Sequence, residues 1–402
     1  MLQRSAWRDF AAVIFSVALL GLGLGSTMPL TALGLTARGF SPDIIGWTVA
    51  ASAVGGVLAT LAAPTLAQRL GRRNVMLACL LLATLSVLPL QYLQSITGWM
   101  LARMLFGAAM APLFVLGESW INTLAGDHAR SRIVAIYATC FTACQVAGPL
   151  LADLLVRWPD RAFLLCGCLF LLGIPGIMLA RAEQRGGAAE HPEHLSGSKN
   201  KESATSWFGI IRRAPAILLG TVFFASFDTI MLSFLPLAAM ESGMSQSRAL
   251  SSASLLLAGD AMLQFAIGCL ADQYGRRRVH LLCGLAVCLL LPLLPVLMKL
   301  PGLWEIYLFV LGGCAGAIYT LSMAASGELF SGAALIRVSG LISLSWNLSS
   351  SLGPAATGMV MQHAGSHWMV LVLWLIALLF LVYGWRQAEQ LAVGQARQPT
   401  AR

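Results

Sequence analysis

Charge is what this sequence has little of: 11% of its 402 residues are Asp, Glu, Lys or Arg, against 58% hydrophobic. A water-soluble domain carries about 25% charge, which its surface needs to stay solvated. So sparse a chain excludes an ordinary soluble globule, and its long apolar runs predict membrane-spanning helices. A disulfide framework is also excluded. The nine cysteines are odd in number and fall within apolar runs, as buried, inert thiols do. Cys166 and Cys168, one residue apart on a helix, point in different directions and make a poor metal pair. No His, Cys and carboxylate spacing suits a metal, and no cofactor is expected. The phosphate-cradling Gly-x4-Gly-Lys-Ser/Thr is lacking, which argues against ATP-driven work in this chain. With no nucleophile–base arrangement either, an enzyme is not expected.

Runs of about 20 apolar residues predict spans at 11–34, 44–67, 75–94, 98–124, 133–156 and 162–180. A second set falls at 216–240, 249–271, 279–298, 302–329, 338–362 and 368–385. Arg4 and Arg8 precede the first run, which is too long for a signal-peptide core and reads as a retained span. The stretch 181–215, with "EQRGGAAEHPEHLSGSKNKESATS", is polar and rich in Gly and Ser. It reads as a flexible cytoplasmic connector between a six-span unit at 1–180 and a second at 216–402 that ends in a short tail.

The net charge of +9 need not mean nucleic acid. With the N-terminus placed inside, 20 of the 26 basic residues fall in inner segments and 5 in outer ones, leaving Arg103 within a span. That bias predicts cytoplasmic termini in a bacterial inner membrane and explains the charge as topology.

The two units repeat one another. "PTLAQRLGRRNVM" (64–76) returns as "GCLADQYGRRRVH" (268–280), with Gly71 and Gly275 204 residues apart. Pro149 and Pro354, Arg132 and Arg337, and Gly107 and Gly312 are each 205 apart. Such duplication builds carriers whose binding site lies near the midplane where the halves meet.

These residues resemble the major facilitator superfamily over nearly the whole chain. The family's inner-loop signature, Gly-x-Leu-Ala-Asp-Arg-x-Gly-Arg-Arg, is matched by Gly268, Leu270, Ala271, Asp272, Gly275, Arg276 and Arg277. The first copy keeps Leu66, Ala67, Arg69, Gly71, Arg72 and Arg73 but has Gln68 where Asp is usual. Arg103, Gly107 and Ala109 resemble the fourth-span signature. Gly148 and Pro149 resemble the abbreviated fifth-span signature common in antiporters, with Leu151 and Ala152 replacing Gly-Gly. "GESWIN" (117–122) with "RSRIVAIY" (130–137) is similar to a YcaD-like branch. The resemblance implies an all-α membrane protein of twelve spans in two pseudo-symmetric bundles. It implies an inner gate at the two Gly-Arg-Arg loops, with Asp272 facing a helix N-terminus in the opposite half. Gly148–Pro149 and Gly353–Pro354 are the matching packing or hinge points.

Ionisable groups deep in spans cost free energy and need a reason. Asp228 and Asp260 lie mid-span, Arg103 in the outer part of the fourth span and Glu118 in its inner half. Burial disfavours a charged carboxyl, so either aspartate is a candidate proton carrier; a static ion pair is the alternative. Arg103 and Glu118, about 60° apart around one helix, are expected to line one path. Gln145 and Asn347 are candidates to hydrogen-bond a substrate or a neighbouring helix, and Trp346 to stack on an organic ligand or to pack.

The expectation is a secondary transporter moving a small organic solute by alternating access, coupled to protons, monomeric in the bilayer, with efflux of a drug or metabolite favoured. Proton-coupled uptake is the alternative, and a non-transporting receptor on the same scaffold is the rival of another class.

Overall fold

The computed structural model describes residues 4–124, 130–179, 207–213, 215–330 and 332–396. Twelve long helical segments cross the molecule. The first six are α1 (Arg4–Ala37), α2 (Pro42–Leu70), α3 (Arg72–Val87), α4 (Ile96–Leu124), α5 (Arg130–Val156) and α6, formed by Ala162–Leu169 and Gly173–Leu179 around a 3-10 turn. The second six are α7 (Pro215–Glu241), α8 (Gln246–Tyr274), α9 (Arg276–Leu290), α10 (Leu303–Leu329), α11 (Gly332–Ala364) and α12 (Leu371–Ala396).

Eleven of them are long and apolar enough to cross a membrane. The exception, α11, has ample length at 33 residues. Its stretch 339–353 carries six serines and Asn347, which suits a helix packed among others better than one bathed in lipid. Several helices extend past the apolar runs because polar flanks continue the same backbone pattern, as where α8 reaches Gln246 and Tyr274. The third span ends instead in a 3-10 turn at Leu88–Gln91, and the ninth passes through one at Leu291–Leu293 into a last helical stretch, Leu294–Leu297. Pro89 and Pro292 sit in these turns, where the ring deprives a preceding carbonyl of its α-helical donor. Most of the predicted 181–215 connector lies outside the described residues, but Trp207–Arg213 is helical. Its Ile210 is buried against Ile217, Phe330, Val338, Leu341 and Ile342, so this end of the connector is ordered packing.

The duplication is visible in the helix pairings. In the first bundle α1 packs on α5 and α2 on α4; in the second α7 packs on α11 and α8 on α10. Between bundles α2 lies against α11 and α5 against α8, an arrangement that swapping the halves reproduces. Small residues set the closest crossings. Gly55 rests on the Met104 carbonyl and Gly107 on that of Ser52; Gly259 and Gly312 repeat this on Phe309 and Leu256. Backbones this close leave no room for a larger side chain. Gly312→Leu is therefore expected to lower the melting temperature of the detergent-purified protein. The overpacking costs about 1–3 kcal/mol, whereas the same change at Gly268, where a Cβ meets nothing within 4 Å, leaves melting near wild type.

Loops alternate between two ends. Gly39, Gly243, Gly302 and Gly365 mark turns at one end, Gly71 and Gly275 those at the other. Gln68 and Asp272 thus share an end. Contacts between the bundles crowd the Gly39 end. Gly46 meets the Pro354 carbonyl, and Gly358 that of Pro42. Ser351 Oγ donates to the Ala50 carbonyl at 3.3 Å, and Ser247 Oγ to Asp153 Oδ2 at 2.9 Å. At the Gly71 end, Leu66, Gln68, Arg69 and Leu70 stand exposed. A Cβ on Gly268 or Gly327, within helices near this end, would meet no atom within 4 Å. Among the described residues, the two bundles are clasped at the Gly39 end and spread at the Gly71 end.

Candidate functional site

Asp228 lies near the middle of α7, held there by a helix with nearly every residue from Phe223 to Ala239 buried. From α5 in the other bundle, Gln145 Nε2 donates to Asp228 Oδ1 at 3.4 Å. This bond joins the halves at mid-depth. Asp228 is deep in the bundle yet only partly covered, as a side chain on a cavity wall would be. Asp260 on α8 is buried at 7% exposure, within reach of the field of Asp228. It accepts a hydrogen bond from Gln264 one turn along. A Cβ on Gly316 of α10 would collide with its Oδ1, so this glycine makes the space the carboxyl occupies. The repeat explains that space. Gly56, 204 residues before Asp260, faces Ala111 in the first bundle, and the second bundle has reversed large and small.

Glu118 on α4 is exposed and lies within electrostatic range of Tyr137 of α5 and Tyr319 of α10. It therefore faces the other bundle. Tyr319 stacks on Phe224 of α7, with centroids 5.3 Å apart, and meets Trp346 of α11 edge-on at 5.1 Å. Trp346 also touches Phe224, at 5.9 Å. Opposite, Phe114 contacts Tyr137 and Phe141 in the first bundle. Asn347, expected to reach a substrate or another helix, donates to the Ser343 carbonyl of its own helix at 2.8 Å.

Arg103 does not share a path with Glu118. It is fully buried, packs on the Phe106 ring at 4.7 Å and lies near Cys166 of α6. Its three guanidinium nitrogens have no hydrogen-bond partner among the described residues. The 60° offset around α4 suffices to aim Arg103 into its own bundle and Glu118 out of it.

The Gly-Arg-Arg turns depart from expectation in one respect. Gly71 and Gly275 have φ of +83° and +93°, which only glycine adopts without strain. Arg73 Nη2 donates to the Met178 carbonyl at 2.7 Å, tying the turn to the end of α6. Asp272, however, faces Arg276 of its own loop at 2.9 Å, and Arg276 also pairs with Glu328. With the Gly71 end spread, the aspartate turns to the cation within reach instead of a helix end in the other half. Arg72 and Arg337 also have partners; Arg277 is half-buried, with its Nη2 unpaired. Gly148 packs on Gly25 and Ser26 of α1, and Gly353 on Ser226 of α7, both as close helix approaches.

Tyr319, Phe224 and Tyr137 were not singled out from the sequence, because an aromatic in an apolar run looks like packing, and neither was Gln264, whose role is set by Asp260 one turn away. The mismatch between Asp260 and Gly56 was readable by aligning the repeats. Among the described residues, no group of His, Cys, Asp and Glu could hold a metal.

Duplicated helix pairs, twin Gly-Arg-Arg turns and an interface at mid-depth belong to a chain that one family model covers almost throughout. The Major Facilitator Superfamily model aligns to residues 13–259 and 218–398. The chain belongs to the major facilitator superfamily. YfkF of Bacillus subtilis, named an uncharacterized MFS-type transporter, is 24% identical over 391 residues, covering 94% of this chain and 97% of its own. YcaD of Escherichia fergusonii, similarly named, is 24% identical over 385 residues, covering 95% and 96%. A D-xylose-proton symporter structure superposes with a TM-score of 0.77 at 15% identity, covering 93% of this chain and 97% of its own. This facilitator is thus a multi-pass membrane transporter of the secondary kind, a class that binds small-molecule substrates.

Proposed function

We propose that this facilitator is a proton-coupled exporter of a small organic solute. Residues 1–180 and 216–402 move as two bundles about a central site, joined by 181–215. The Gly71 end is cytoplasmic, as the distribution of basic residues favours, and the bacterial inner membrane is its place. The structure then corresponds to a state open to the cytoplasm. The observation that carries the reading is the Gln145–Asp228 bond between bundles. A carboxyl group at that junction is bonded to the opposite half, and its protonation changes what it offers that half. Asp228 and Asp260 are the proton carriers, Asp272 and the Gly-Arg-Arg turns the cytoplasmic gate, and a monomer suffices.

Solute and proton exchange when both require the same carboxylates. In everted vesicles energised with an acid interior, an exported solute should dissipate the gradient on addition, read as recovery of acridine-orange fluorescence. A compound library screened this way tests coupling and direction together. Solute movement insensitive to collapse of the gradient would reject proton coupling. The likeness to a symporter supports uptake as the second reading; a symported solute would dissipate the gradient of right-side-out vesicles instead.

A further inference from the structure

The aromatic trio and the carboxylates belong to one recognition surface. Phe224 precedes Asp228 by four residues on α7 and so shares its face. Tyr319 and Trp346 complete three rings in mutual contact, contributed by α7, α10 and α11. The field of Glu118 reaches Tyr319 from the other bundle. The rings thus have Asp228 one helical turn along α7, with Asp260 within its electrostatic range.

The charge around this surface has one sign. The described ion pairs, Arg157–Asp153, Arg248–Glu305 and Arg276 with Asp272 and Glu328, lie at helix ends. The hydrogen bonds to Asp228 and Asp260 come from the neutral amides of Gln145 and Gln264. Arg103, at mid-helix, is sealed inside the first bundle. An anion here would meet uncompensated carboxylates. Ring faces attract cations electrostatically, and more strongly where water is excluded.

We infer that the substrate is an organic cation with an apolar body, of the quaternary-onium or protonated aromatic amine class. Its charge lies between Asp228 and Glu118, its body against Phe224, Tyr319 and Trp346. This inference rests on the carrier reading above and specifies its cargo. A proton and a cation satisfy the same carboxylate, so one displaces the other.

The test uses tetraphenylphosphonium and its near-isosteric anion tetraphenylborate, measured by equilibrium dialysis against the full chain in detergent. Saturable binding of the cation is expected, with none of the anion above detergent background. Asp228→Asn and Trp346→Ala should each weaken the cation by about tenfold or more, the scale of a lost charge-assisted contact. Should Asp228→Asn fail to fold, Glu118→Gln and Trp346→Ala decide. Equal binding of both ions, or unchanged affinity in the folded variants, would overturn the assignment. A protein that binds the phosphonium without coupling it to protons keeps the cation site and loses the proton mechanism. One that couples protons to a neutral solute and ignores the phosphonium keeps the mechanism and loses the site.

Discussion

Asp228→Asn is expected to abolish solute-induced proton movement in vesicles, a fall of about a hundredfold or more. Removing a group that transfers a proton costs a factor of 10² to 10⁴ in rate where that step is catalytic, and a carrier without its proton site has no other coupling step. Asparagine is nearly isosteric and keeps an oxygen for the Gln145 amide, so the contact between bundles survives. Counterflow, which needs no net proton transfer, should therefore persist once solute is raised far enough to saturate the variant's weakened site. Gradient-driven and counterflow activity falling together even at saturating solute would make Asp228 a packing residue. Wild-type proton movement in the variant would remove it from the mechanism.

The second large effect is expected at the clasp. A Cβ on Gly46 would overlap the Pro354 carbonyl, and one on Gly358 that of Pro42. Backbone atoms cannot swing aside as a side-chain tip can, so Gly46→Leu and Gly358→Leu should hold the Gly39 end apart. Net flux should then drop more than about tenfold, because a change of a few kcal/mol in a two-state balance leaves little of one state. Ser351, bonded to the Ala50 carbonyl, is the reporter. A cysteine there should be protected from a membrane-impermeant maleimide in the parent and labelled in the leucine variants. Full transport with the cysteine still protected would contradict the clasp.

Much of this architecture was legible because apolar length and the repeated offset are one-dimensional signals. The eighth span, expected at 249–271, is a helix at Gln246–Tyr274, and the turns at Gly71 and Gly275 stand where their motifs placed them. Depth was legible too: Asp228 and Asp260 are mid-helix. Direction around a helix was not. Arg103 and Glu118 have similar angular positions by counting, yet one faces its own bundle and the other faces across. Nor does a sequence say which conformation it describes. Asp272 was expected to reach the opposite half, and it rests on Arg276 because that end is spread. The meeting of Gln145 with Asp228 joins residues 83 positions apart on separate bundles, and no local pattern encodes it.

The exchange of Gly56–Ala111 for Asp260–Gly316 bears on how such a molecule acquires new specificity. Each helix crossing exists twice, so one copy can preserve the lever arm while its twin accepts a reactive group. Novelty at one site then leaves the machinery of motion intact, and divergence between the arms marks where ligand selection has been written.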